Sequence, residues 1–106
     1  MSMQRKPMAP VFAALGDETR LSLVSKLCSG PHSITRLTEN TDLTRQAITK
    51  HLRVLEDAGL VQGNRKGREN VFELLPAPLD EVRDYLDIVS QQWDHALARL
   101  KVFVED

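Results

Sequence analysis

Cysteine and aromatic residues are scarce in this chain of 106 residues. Cys28 is the only cysteine, which excludes an internal disulfide framework and any zinc site built from several cysteines. Aromatic residues make up 5% of the chain, which is low for a pocket that binds carbohydrates or aromatic ligands. No run of about eighteen apolar residues occurs, so we expect no transmembrane helix. The N-terminal residues lack the apolar stretch of a signal peptide, and we expect a soluble cytoplasmic protein.

Charge is unevenly distributed along a chain whose composition suits a packed core. Apolar residues make up 42% and charged residues 27%, and the formal net charge at pH 7 is −1. Residues 1–75 contain eleven Lys and Arg against eight Asp and Glu, whereas residues 76–106 contain three against seven. This asymmetry predicts a basic face for a polyanion and a different role for the C-terminal part. The alternative is a solvated charged surface that has no partner.

Helix-capping residues predict two helices near the N-terminus, after a tail over residues 1–9. Pro10 opens the first helix and Gly16 closes it. Asp17 is the expected N-cap of the second helix, which Gly30 and the proline after it end. The helical period predicts that an apolar face of the second helix packs into the core. Its members are Leu21, Val24, Leu27 and Cys28, so the thiol is expected to be buried.

The next two helices have the pattern of a helix-turn-helix, over residues of about 33–59. Ser33 is the expected N-cap of a short third helix, and Thr44 is the expected N-cap of the fourth. Gly59 is expected to end the fourth helix in the left-handed conformation. The apolar stripe of the fourth helix consists of Ile48, Leu52 and Leu55.

A change of period after Gly59 predicts a β-hairpin over residues of about 60–75. Residues 60–65 and 71–74 read as two short strands around a tip that contains three basic residues and Gly67. We interpret this hairpin as a wing that follows the helix-turn-helix, and we expect Pro76 and Pro78 to end it.

The helical period returns over residues of about 79–104 with apolar spacings close to a heptad seam. Such a helix extends roughly 38 Å, which is more than a domain of this size can cover by itself. We therefore expect it to be shared between the core and a second subunit; the alternative is a helix packed wholly within its own monomer. The residues expected at the dimer interface are Leu86, Val89, Trp93, Leu97 and Leu100.

The side of the fourth helix opposite its apolar stripe has the chemistry of a DNA-binding surface. Gln46, Thr49, Lys50 and Arg53 follow the spacing of one helical face, Arg45 lies beside them, and none is a carboxylate. Glutamine and arginine suit base edges, whereas threonine and lysine suit phosphates. The wing adds Arg65, Lys66 and Arg68 as candidate phosphate or minor-groove contacts. An ordinary solvated surface is the alternative for both elements.

Two stretches resemble a known family. Residues 12–21, FAALGDETRL, resemble the opening motif of the ArsR (arsenical-resistance regulator) family of bacterial winged helix-turn-helix repressors. Residues 44–61, TRQAITKHLRVLEDAGLV, are similar to the recognition helix and following turn of that family. The resemblance covers roughly residues 10–75 and implies a homodimeric, cytoplasmic DNA-binding regulator. It assigns DNA contact to the wing and to Thr44, Arg45, Gln46, Thr49, Lys50 and Arg53, while His51 either contacts phosphate or packs.

The sequence departs from the family where metal-sensing members bind metal. Many members use a cysteine pair on the helix that corresponds to Ile34–Asn40, where this chain has no cysteine. Others use carboxylates and two histidines on the last helix, where this chain has only Asp94 and His95. Borderline cations need several such ligands together, so no metal and no cofactor are expected. Trp93 resembles a branch of the family that lacks these motifs.

The overall prediction is a mainly α-helical protein with a small β-hairpin wing and a long C-terminal dimerisation helix, forming a single winged helix-turn-helix domain over residues 10–106. Its expected function is sequence-specific DNA binding in transcription regulation, as a dimeric repressor of an inverted-repeat operator. One alternative is a winged-helix module that binds proteins, and another is a metal- or redox-responsive repressor. No catalytic triad, phosphate-binding loop or carboxylate pair can be placed on one face, so an enzyme is not expected.

Overall fold

The computed structural model describes residues 8–105. Residues 1–7, which make up most of the predicted tail, and residue 106 lie outside the described part. Within residues 8–105 the chain forms five helices and a three-stranded sheet, which confirms the mainly helical fold with a wing. The elements in chain order are α1 (Ala9–Leu15), α2 (Glu18–Leu27), β1 (His32–Ser33), α3 (Ile34–Thr38), α4 (Arg45–Asp57), β2 (Val61–Lys66), β3 (Glu69–Leu74) and α5 (Pro76–Glu105).

The predicted N-caps of α2, α3 and α4 are all confirmed. A side-chain oxygen of Asp17, Ser33 or Thr44 accepts a hydrogen bond from the backbone N–H three residues later, at 3.0, 3.1 and 3.0 Å respectively. Each bond satisfies one of the N–H groups that have no partner within the helix. The starting points of these helices therefore follow from local chemistry.

Helix α4 ends as the sequence predicts, at a glycine in the left-handed region. Gly59 has φ +78°, and its N–H donates to the Glu56 carbonyl at 2.9 Å. The N–H of Leu60 donates to the Leu55 carbonyl, also at 2.9 Å, which completes a Schellman motif. This turn sends the chain directly from α4 into β2 and so places the wing beside α4.

The core lies between the helices and one face of the sheet. Ile48, Leu52 and Leu55 of α4 are buried, as the predicted apolar stripe requires. The other buried hydrophobic residues come from the four remaining helices, from β2 and β3, and from the turn that follows α4. They are Val11, Ala14, Leu23, Leu27, Ile34, Leu37, Leu60, Val61, Phe72 and Val82.

The sheet contains one strand more than the predicted hairpin. Strands β2 and β3 pair antiparallel across a two-residue turn, in which Gly67 has φ +62°. Strand β1 pairs with the other edge of β3, with His32 opposite Phe72, so the order is β1-β3-β2. A two-residue strand is too short to show a period in sequence. His32 therefore belongs to the sheet, where it is half-buried.

The predicted core face of α2 was wrong at Leu21 and Cys28, whereas Leu27 is buried and Val24 packs half-buried against the core, as predicted. Leu23 and Leu27 are buried, whereas Leu21 is 53% exposed and Cys28 is exposed. The apolar residues of α2 extend around nearly half of the helix, so their spacing fits more than one inward face. Packing against α4 selects the side of Leu23, and Cys28 becomes an exposed thiol instead of a buried one.

Helix α5 is 30 residues long and extends beyond the rest of the fold. It begins at Pro76, three residues before the predicted start, because prolines are tolerated in the first turn of a helix, where N–H groups have no partner. Val82 is its only buried residue within the described range. The Cα radius of gyration is 18.2 Å, whereas a compact chain of this length has about 13 Å. The alternative of a helix packed wholly within its own monomer is therefore wrong.

None of the helices in residues 8–105 has both the length and the apolar content needed to cross a membrane.

Candidate nucleic-acid interface

Helix α4 exposes one polar face because the apolar stripe on its opposite face is buried in the core. Gln46, Lys50 and Arg53 are exposed, and Thr49 is half-buried beside them. The Thr49 hydroxyl donates to the Arg45 carbonyl at 2.7 Å, which holds the side chain against the helix backbone. The four side chains predicted to share a face do share it. We call the residues Gln46, Thr49, Lys50 and Arg53 the outer face of α4.

Two further candidates at the start of α4 already have partners within the chain. The Arg45 guanidinium donates through Nη1 to the Thr35 hydroxyl at 2.8 Å, which links α4 to α3. The Thr44 hydroxyl oxygen accepts the Ala47 N–H at 3.0 Å as the helix cap. Both residues are exposed and lie next to the outer face. Sequence spacing did not predict the contact with Thr35, because the two residues are ten positions apart.

The wing carries its three basic residues on exposed positions at the tip. Arg65 and Lys66 end β2, and Arg68 follows Gly67 in the turn. The Arg65 Nε donates to the Gly67 carbonyl at 3.4 Å, a long bond within the tip itself. Long cationic side chains on a narrow two-stranded hairpin suit contact with a phosphate backbone.

A cleft of about 410 Å³ separates α4 from the wing. A hydrogen bond joins its two walls, since the Glu56 carboxylate accepts the Gly63 N–H at 3.1 Å. This bond holds the first strand of the wing against the C-terminal half of α4. The cleft is lined by Ile34, Thr49, Arg53, Glu56, Asp57, Gly63, Asn64, Arg65, Asn70 and Phe72. Sequence reasoning missed the asparagines and Glu56 because only the fold brings the wing beside α4.

His51 lies away from the outer face of α4. Its Nδ1 is 3.2 Å from the Arg20 Nη1 and 3.8 Å from the Asp17 Oδ2, at the start of α2. His51 follows Ala47 on the side of α4 that meets α2 and is half-buried there, so it packs in the free protein, and contact with phosphate stays a prediction. The sequence placed it among DNA-contacting residues only through the family resemblance.

Arg20 and Asp17 complete the cluster around His51. The Arg20 N–H donates to the Asp17 carboxylate, and mainly for this reason the pKa of Asp17 lies below its ordinary value of 3.8. The Arg20 Nε donates to the Ala14 carbonyl at 2.6 Å. We call Asp17, Arg20 and His51 the hinge cluster, because it joins the ends of α1 and α2 to the middle of α4.

The same architecture is found in known proteins. The sequence profile described as "Bacterial regulatory protein, arsR family" matches residues 17–62. The chain is 35% identical over 97 residues to the HTH-type transcriptional regulator Rv2034 of Mycobacterium tuberculosis, covering 92% of this chain and 87% of that protein. The chain belongs to the ArsR family. This membership confirms the resemblance read from the two sequence motifs, and the protein is a DNA-binding transcription regulator of this family.

Solved structures of ArsR-type regulators have the same winged helix-turn-helix fold. An ArsR-like transcriptional regulator from Rhodococcus sp. RHA1 superimposes with a TM-score of 0.72 at 38% identity, covering 89% of each chain. A second ArsR family transcriptional regulator superimposes with a TM-score of 0.76 at 26% identity, covering 87% of this chain and 97% of the other. In the ArsR framework α3 and α4 form the helix-turn-helix, and β2 and β3 form the wing.

Metal-binding side chains are dispersed in this ArsR-family protein. Within residues 8–105, no three His, Cys, Asp or Glu side chains lie close enough to hold a metal ion. Helix α3 has no cysteine, and Asp94 and His95 are exposed on α5. The donors present therefore do not fit the metal sites of the metal-sensing ArsR members.

Proposed function

We propose that this ArsR-family regulator is a homodimeric repressor that binds an inverted-repeat operator through α4 and the wing. The outer face of α4 supports the proposal most strongly, since Gln46, Lys50 and Arg53 are exposed and no carboxylate occurs before the last turn of the helix, where Glu56 and Asp57 lie beside the cleft. The basic wing tip stands on the far side of an open cleft from this face. With α4 in a major groove of DNA and the wing on the adjacent DNA backbone, both protein surfaces would contact the duplex at once.

The residues of this surface divide into base readers and phosphate anchors. Gln46 lies in the first turn of α4, where recognition helices meet base edges, and its amide can bind adenine with two hydrogen bonds. Arg45 is assigned to bases as well, and it would exchange its bond to Thr35 for one to a base. The proposed phosphate contacts are Thr44, Thr49, Lys50, Arg53, Arg65, Lys66 and Arg68. Thr49 would exchange its bond to the Arg45 carbonyl for one to a phosphate.

The proposed dimer forms through α5. Its apolar side chains are unpartnered in one protomer, and a contiguous apolar stripe of this length marks an interaction site. Leu86, Trp93, Leu97 and Leu100 are about half exposed or more, and Val89 is half-buried between them. A two-fold axis through α5 would present two copies of α4 to one face of the DNA. Half-sites would then be inverted and about 34 Å apart, or a multiple of that distance.

Operator affinity measured at several salt concentrations tests the assignment of readers and anchors. Duplexes selected from a random library by the wild-type protein supply the operator panel. Gln46→Ala should change which sequences are preferred, at about 1–3 kcal/mol of discrimination. Lys50→Ala should weaken binding to all duplexes alike and reduce the salt slope by roughly one unit per contact.

Gln91→Ala provides the matched control, because it removes the same side chain as Gln46→Ala from an exposed position on α5. It should leave both preference and salt slope unchanged. The reader and anchor assignment is wrong if Gln46→Ala and Lys50→Ala cause the same uniform loss. Selection of no duplex by the wild type would instead favour a winged-helix module that binds proteins.

The exposed thiol of Cys28 keeps a second candidate open, a redox-responsive repressor. Oxidation of an exposed cysteine is chemically accessible, whereas a buried thiol is protected. Operator affinity is measured before and after peroxide treatment for the wild type and for Cys28→Ser. A redox-responsive repressor would change affinity in the wild type and not in Cys28→Ser. We place the regulator in the cytoplasm, since its proposed ligand is bacterial chromosomal DNA.

A further inference from the structure

We propose that Arg20 and His51 are positioning residues for operator binding, which set the angle of α4 relative to α1 and α5. Neither residue lies on the outer face of α4, and neither contacts DNA in this proposal. The inference rests on the proposed function, because an angle matters only if α4 enters a groove. It adds residues that the DNA-contacting surface does not include.

Arg20 connects three helices with one side chain. Its Nε donates to the Ala14 carbonyl at 2.6 Å, and its Nη2 donates to the Ala13 carbonyl at 3.4 Å. Both carbonyls lie in the last turn of α1, and that of Ala13 also accepts the Gly16 N–H at 3.2 Å. Its Nη1 contacts His51 Nδ1 of α4 at 3.2 Å. A planar guanidinium offers donors in several fixed directions, which a lysine ammonium cannot reproduce.

The contact between Arg20 and His51 requires an acceptor on the histidine ring. A guanidinium can only donate, so Nδ1 accepts in this contact, in the tautomer that carries its hydrogen on Nε2. The Asp17 carboxylate lies 3.8 Å from Nδ1, too far for a hydrogen bond, and it already accepts the backbone N–H of Arg20. The interaction therefore depends on an acceptor at the Nδ1 position.

The hinge cluster also connects to α5 through α1. The ring of Phe12 in α1 packs against the ring of Tyr85 in α5, with centroids 5.6 Å apart and planes inclined at 59°. Contacts thus run from α5 through α1 and Arg20 to His51 in α4. In a dimer built on α5, this series of contacts sets the separation and tilt of the two copies of α4.

A small change of this angle is sufficient to disturb base recognition. Helix α4 has 13 residues and is therefore about 20 Å long. A rotation of about 10° about one end displaces the other end by roughly 3 Å, which is the length of a hydrogen bond. Contacts to base edges have strict geometry, whereas lysine and arginine contacts to phosphates tolerate such a shift. Loss of the hinge cluster should therefore reduce selectivity more than general affinity.

Two amide substitutions of His51, which differ in the position of the acceptor oxygen, provide the sharpest test. The amide oxygen of Asn and the Nδ1 of His are both bonded to Cγ, so His51→Asn keeps an acceptor near the observed position. His51→Gln moves the amide one bond further out and should lose the contact. Affinities are measured for a duplex selected by the wild type from a random library and for a scrambled duplex of the same composition. All measurements are made at a temperature where melting curves show each variant to be folded.

We expect His51→Gln and Arg20→Met each to weaken binding to the selected duplex about tenfold, while affinity for the scrambled duplex and the salt slope stay unchanged. The double variant should lose no more than Arg20→Met alone, because Arg20→Met already removes the contact with His51. His51→Asn should stay within threefold of the wild type. Arg83→Met is the control for charge, since Arg83 is exposed on α5 and bonded to Asp80.

Three results would overturn the inference. The first is retention of selectivity by both His51→Gln and Arg20→Met. The second is an equal loss for both duplexes, and the third is a salt slope lowered by about one unit in Arg20→Met, which would make Arg20 a phosphate contact. Failure of the wild type to select any duplex is a separate outcome, since it refutes the proposed function itself.

Discussion

Replacement of Leu97 by glutamate tests the proposed dimer most directly. Leu97 is 54% exposed in one protomer, and it lies in the middle of the apolar stripe of α5. Full burial of a leucine side chain contributes about 1.5–3 kcal/mol, so burial of the remaining half contributes about 1 kcal/mol. In a two-fold dimer each substitution occurs twice.

These values give an expected size for two graded variants. Leu97→Ala should cost about 2 kcal/mol of association, which is roughly a thirtyfold weaker dimer. Leu97→Glu adds the desolvation of two like charges in an apolar contact, which costs several kcal/mol more. The alanine variant should therefore dissociate at low concentration, and the glutamate variant should be monomeric at micromolar concentration.

Sedimentation analysis over a wide concentration range measures both effects. Gln91→Glu is the matched control, because it adds the same charge to α5 at an exposed position on the side away from the apolar stripe. This control should sediment like the wild type. The reasoning is refuted if the wild type is a monomer at micromolar concentration, or if Leu97→Glu dimerises as well as Gln91→Glu.

Two further predictions concern stability. Asp17→Asn should keep the helix cap but reduce the loss of stability in acid. The lowered pKa of the Asp17 carboxyl stabilises the fold above its ordinary value of 3.8, and this contribution disappears as the pH falls through the lowered value. Urea midpoints from neutral to acidic pH measure the effect, and the same pH dependence in wild type and Asp17→Asn would contradict it. Gly63→Ala should destabilise the protein by about 1–3 kcal/mol, since the new Cβ would lie 2.7 Å from the Phe72 ring. Thermal melting should show this against the neighbouring exposed control Gln62→Ala, and equal melting temperatures would exclude the clash.

Local chemistry in the sequence determined where the helices begin and end. Asp17, Ser33 and Thr44 each satisfy an N–H group three residues away, and Gly59 adopts a conformation that other residues avoid. These interactions span a few residues, so they can be read directly from the order of the chain. The faces of α4 were equally readable, because one side is consistently apolar and the other is polar.

The sequence alone did not predict which face of α2 is buried, nor that β1 exists. Helix α2 has apolar residues on nearly half of its circumference, so only packing against α4 decides that Leu23 is buried and Cys28 exposed. Strand β1 has two residues and shows no period, so only its pairing with β3 reveals it.

The candidate site divides in the same way. The sequence by itself determined the outer face of α4 and the basic wing tip, since each is a pattern within one element. The tertiary structure decided what connects the elements: Glu56 to the wing, Arg45 to Thr35, and Arg20 to His51. These partners are 7, 10 and 31 residues apart in sequence. No local period relates such positions, and only the packing of the elements against one another brings their polar atoms within hydrogen-bonding distance.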